Sequence, residues 1–70
     1  MEMQRLNSSN IESAGWENGT LQVRFKGGGT YLYSDVPERV WFAFRQSESA
    51  GTFLATQIKG KFKHSKLGAA

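Results

Sequence analysis

Seventy residues make one domain at most, and nine aromatic side chains give it a large apolar payload for that length, although a core of this size supplies only ~3–5 kcal/mol. The absence of cysteine and a single histidine, His64, exclude disulfides, thiolate chemistry and cysteine- or histidine-rich metal sites. The net charge of +3 is unevenly placed: residues 1–48 carry six acids against five bases, whereas residues 49–70 carry Lys59, Lys61, Lys63 and Lys66 with no acid.

Residues 1–10 are mostly polar, and Asn7-Ser8-Ser9-Asn10 reads as a turn or strand approach. Ile11 to Trp16 forms a first short strand of poor alternation. Asn18-Gly19 follows, a strong hairpin signal because both residues tolerate positive φ. Thr20 to Lys26 is the clearest strand: Leu21, Val23 and Phe25 alternate with Gln22, Arg24 and Lys26. Gly27-Gly28-Gly29 turns the chain, and Thr30-Tyr31-Leu32-Tyr33 is β-branched and aromatic, a third strand.

Asp35-Val36-Pro37-Glu38 predicts a helix start, with proline at the first helical position, Glu38 in the first turn and Asp35 or Ser34 as cap. Val36, Val40, Trp41 and Phe44 then mark a buried stripe. A second helix is predicted from near Ser49–Thr52 to Ile58 or Lys59, with Phe53, Leu54, Gln57 and Ile58 on one face and Gly60 ending it. Lys61 to His64 reads as a short extended segment, and residues 67–70 as a fraying end. The predicted fold is α+β: a three-stranded antiparallel meander followed by two helices packed on one face. Residues 1–70 form a single domain with an ordered core at 8–64 and a flexible basic tail.

The order of these motifs resembles the KTSC domain, a small domain found at the C-terminus of some lysyl-tRNA synthetases and as a free-standing protein of bacteria and phages. Tyr31-Leu32-Tyr33 followed by Val36-Pro37 is similar to that family's Tyr-x-Tyr and Val-Pro signature. Leu21-x-Val23-x-Phe25, Ser49-x-Gly51-x-Phe53 and Ile58-Lys59-Gly60-Lys61-Phe62 resemble its other motifs, and the likeness spans about residues 8–64. Gly15-Trp16-Glu17 stands where the family usually has Gly-Tyr-Asp. Ala55-Thr56 replaces a common asparagine of the second helix, which puts any ligand contact of that asparagine in doubt here. The synthetase association implies nucleic-acid binding.

The candidate phosphate-binding residues are Lys59, Lys61, Lys63 and His64, with Arg24 and Lys26 extending the patch. In an extended segment the three lysines line one side and Phe62 anchors the other. Tyr31 and Tyr33 are candidate base-stacking residues, and the hairpin register decides between that role and the core. A two- or four-residue loop places Tyr31 across from Arg24 and Tyr33 across from Gln22. A three-residue loop at Gly27–Gly29 places them across from Phe25 and Val23, on the apolar side. The triple glycine lacks the lysine-serine or lysine-threonine that follows a phosphate loop, and reads as a hairpin tip.

The sequence thus predicts a small non-enzymatic module that binds nucleic acid, RNA or tRNA above all, through its basic C-terminal segment. Alternatives are a binder of a small nucleotide signal and a protein-interaction module. Catalytic residues, metal and cofactor are expected to be none, the location cytoplasmic, a membrane no partner, and a homo-oligomer compatible with the small size.

Overall fold

A computed structural model describes residues 2–6 and 8–67. The chain runs β1 (Gln4–Arg5), β2 (Ile11–Glu17), β3 (Thr20–Phe25), β4 (Thr30–Tyr33), α1 (Glu38–Gln46), α2 (Ala50–Phe53), a π-helical turn (Leu54–Ile58) and β5 (His64–Leu67). The five strands form one antiparallel sheet in sequence order. The predicted meander is therefore its central part, extended by one short strand at each edge.

Asn18 and Gly19 take φ of 51° and 84°, the double positive φ of a two-residue hairpin turn between the paired Glu17 and Thr20. The alternation of β2 is broken by a bulge: Ile11 pairs with Phe25 and Ser13 with Arg24, leaving Glu12 as the extra residue. That is why Ile11 and Ala14 share a face although three residues apart.

The second hairpin closes with a three-residue loop, Lys26-Gly27-Gly28. The Gly28 amide donates to the Phe25 carbonyl at 3.1 Å, and the Phe25 amide donates to the Gly29 carbonyl at 3.1 Å. Gly28, at φ 103°, occupies a left-handed position that a side chain would strain. Tyr31 consequently opposes Val23, and Tyr33 opposes Leu21. The tyrosines therefore lie on the apolar face, and a tyrosine platform beside Arg24 and Gln22 does not form. The three-residue loop falls one residue earlier than Gly27–Gly29, so their partners are Val23 and Leu21 rather than Phe25 and Val23.

The helices cover that face. Ile11, Ala14, Leu21, Val23 and Tyr33 from the sheet meet Val36, Trp41, Phe44, Ala50, Leu54 and Ile58 in one core. Two hydrogen bonds fix the helical layer to the first hairpin at Val36: its amide donates to the Gly19 carbonyl, and its carbonyl accepts from the Trp16 indole, both at 2.8 Å. Pro37 is the N-cap, one residue before its predicted place, and its carbonyl accepts from the Trp41 amide at 3.2 Å. No side chain caps this helix, and Asp35 instead takes φ 58° in the turn leading to it.

The second predicted helix is one α turn followed by one π turn. The Lys59 amide reaches back five residues to the Leu54 carbonyl at 2.7 Å. Gly60, at φ 85°, ends it as predicted. The order continues past residue 64: His64–Leu67 pairs along the whole of β4, so Leu67 belongs to a strand rather than to a frayed end. Asn7 of the predicted turn and residues 68–70 of the predicted tail lie outside the described residues.

Candidate nucleotide-binding cavity

The pairing of β5 sorts the basic C-terminal segment by side. Two cross-strand rows run over the helix-covered face, Val23–Tyr31–Lys66 and Leu21–Tyr33–His64. Directly opposed residues of an antiparallel pair share a face, so His64 and Lys66 stand beside the tyrosines. The His64 ring lies 5.5 Å from that of Tyr33 and 6.1 Å from that of Tyr31. Tyr31 meets Phe25 edge to face at 5.6 Å.

These rings border an open cavity of about 370 Å3 lined by Phe25, Gly28, Tyr31, Tyr33, Lys59 and His64. Each element delivers one part of it. The three-residue loop brings Gly28 to the rim, and the pleat of β4 aims two tyrosines to one side. β5 supplies the histidine. The π turn inserts a residue relative to α-helical spacing and ends with Lys59 at the cavity wall.

Tyr33 is 1% exposed. Burial raises its phenol above the ordinary 10.0, and the neighbouring Tyr31 adds to the rise, so the group is held as a neutral O–H donor. Among the described residues no side chain or carbonyl takes that O–H. Lys66 flanks the opening, its Cε within 3.6 Å of where a side chain on Gly29 would begin.

The remaining predicted phosphate contacts are placed differently. Lys59, Lys61 and Lys63 do not line one side of an extended segment: Lys59 closes the π turn, Lys61 follows in a turn, and Lys63 leads into β5. The Lys63 carbonyl accepts from the Ser34 amide at 2.9 Å, which anchors the start of that strand. Lys61 and Lys63 are exposed and outside the cavity lining. Phe62 is half-buried against the core, as predicted. Arg24 stands in the opposite row, Arg5–Ser13–Arg24–Thr30–Leu67, on the uncovered face of the sheet. Lys26 is exposed in the hairpin loop, and its amide donates to the Asn10 carbonyl at 2.8 Å.

Sequence reading missed Phe25, Gly28 and Lys66 as parts of this constellation. The signal for Lys66 was its two-residue spacing from His64, which becomes meaningful only once residues 64–67 are a strand.

A larger cavity of about 500 Å3 lies between Ser8–Asn10 and the start of α2. Its walls are serine and threonine hydroxyls, Asn10 and the carboxylate of Glu48, with no cation. An anion is disfavoured there. Among the described residues no three His, Cys, Asp or Glu side chains gather as a metal site, and no helix is long and apolar enough to cross a membrane.

Comparison with known proteins agrees with the architecture. The family model described as the KTSC domain matches residues 7–62. A protein of Tsukamurella paurometabola is 41% identical over 63 residues, covering 87% of this chain and 94% of the relative. The crystal structure of a KTSC domain protein from Yersinia pestis superposes with a TM-score of 0.92 at 40% identity, covering 96% of this chain and 97% of the other.

Proposed function

The chain belongs to the KTSC domain family, and from that premise we propose that it is a small binding module for single-stranded nucleic acid, RNA above all. The observation that supports this reading is the gathering of basic side chains from the C-terminal segment around a cavity walled by half-buried and buried aromatic rings. Lys59 and His64 line the cavity, Lys66 pairs with Tyr31 beside it, and Lys61 and Lys63 lie on the same stretch of chain. Acids are absent from residues 49–70, so that stretch of chain carries only positive formal charge. Phosphate contacts of this kind give affinity without sequence readout.

The magnitude follows from counterion release. Each phosphate neutralised on a single strand adds about 0.7 to the slope of log K against log salt. Three contacts give a slope of about 2, so affinity falls roughly twentyfold between about 50 and 200 mM salt. The test is binding of tRNA, single-stranded RNA and duplex DNA at those two salt concentrations. Lys61→Glu/Lys63→Glu, on exposed positions, serves as the charge-reversed control. Salt-sensitive binding that the control loses is the expected result. Salt-independent binding, or binding that the control retains in full, rejects the reading.

A further inference from the structure

We infer that the cavity between β4, β5 and the π turn receives one nucleotide unit, a nucleobase together with its own phosphate. The inference takes the chemical class of its ligand from the reading above and adds a defined pocket to it. Four observations carry it.

The size suits one unit. At about 370 Å3 the space lies at the lower end of the ~300–1,000 Å3 of small-molecule sites, too little for a run of bases. The walls suit a flat ring. Phe25, Tyr31 and His64 present aromatic surface around the opening, and stacked bases contribute ~1–3 kcal/mol each on such surface.

The wall is polar at one point. The Tyr33 ring is almost wholly buried and lines the cavity, and its hydroxyl, which has no protein partner among the described residues, is the part of the side chain that solvent reaches. Such a hydroxyl is free to donate, and a base carbonyl or ring nitrogen offers it an acceptor. The rim is cationic. Lys59 stands in the wall, and Lys66 flanks the adjacent glycines, where a phosphate attached to the inserted base emerges.

Free nucleotide and the terminal or unstacked nucleotide of a strand offer the same chemistry, and the experiment separates them. The protein is titrated calorimetrically with the four nucleoside 5′-monophosphates, the corresponding nucleosides and inorganic phosphate, and in parallel with a short single-stranded oligonucleotide. The expected result is saturable binding of at least one monophosphate, tighter than inorganic phosphate and than its own nucleoside. Tyr33→Phe keeps the ring packing and weakens the monophosphate roughly two- to tenfold, the loss of one neutral hydrogen bond. Tyr31→Ala weakens it roughly five- to hundredfold through lost stacking. A melting curve of each variant confirms that it is folded under the assay conditions.

Inorganic phosphate binding as tightly as every monophosphate overturns the pocket, as does Tyr33→Phe and Tyr31→Ala binding like the parent. Oligonucleotide binding that persists in that case leaves the nucleic-acid reading standing on charge alone. Monophosphate binding without oligonucleotide binding supports the pocket for a free nucleotide and rejects the nucleic-acid reading.

Discussion

Replacing Trp16 by phenylalanine isolates the tie between the sheet and the helical layer. The indole N–H donates to the Val36 carbonyl at 2.8 Å, and Val36 is wholly buried. Phenylalanine keeps an aromatic ring and loses the donor. A buried carbonyl left without its partner costs ~1–3 kcal/mol, and a half-buried ring that shrinks by some 40 Å2 adds ~0.5 kcal/mol. The expected loss is about 2 kcal/mol, roughly half of the ~3–5 kcal/mol that a core of this size supplies. For a domain of this length that lowers Tm by ~8–16 °C. Urea unfolding followed by far-ultraviolet circular dichroism measures it, with an unchanged m-value required for the comparison. A loss below about 0.5 kcal/mol refutes the reasoning, because the Val36 carbonyl then finds a substitute partner at no cost.

Gly19→Ala, at φ 84°, should cost ~1–2 kcal/mol through left-handed strain, read in the same urea assay. The free side of that position, with no atom within 4 Å of an added Cβ, makes backbone conformation the cause rather than a clash. The Tyr33 phenol is raised above 10.0 in the fold, so above that pH the unfolded chain releases its proton first. Stability contributed by this group is therefore complete below pH 10.0 and is lost as pH rises towards the folded value. Melting temperature should fall above pH 10.0, and Tyr33→Phe should flatten that fall. Deleting Thr56, an exposed residue of the π turn, should restore α-helical spacing, leave the protein folded and displace Lys59. Binding of single-stranded RNA should weaken several-fold in that variant, measured by fluorescence anisotropy.

The three central strands were legible because each carries its own signal: Asn18-Gly19 for the first turn, alternation over Thr20–Phe25, and the β-branched and aromatic Thr30–Tyr33. The edge strands were not. Gln4–Arg5 has two exposed residues, and His64–Leu67 has four, so neither shows an apolar face, and both exist through pairing to a neighbour. The π turn was equally hidden, since Leu54 and Ile58 have the spacing of an ordinary α-helix and the extra residue shows only in the hydrogen bond from Lys59. The candidate site inherits these gaps. His64, Lys59 and the tyrosines were visible as residue types, but their meeting depends on β5 lying antiparallel to β4. Arg24 was assigned to the same patch from its charge, and strand alternation sends it to the other face.

The central claim, that ligand binds on the cavity side of the sheet, is tested most directly by backbone amide NMR shifts during titration with a short single-stranded RNA. The largest changes should cluster at Phe25, Gly28, Tyr31, Tyr33, Lys59 and His64. Changes concentrated instead on Arg5, Ser13, Arg24 and Leu32 of the uncovered face, or none at saturating RNA, would contradict it.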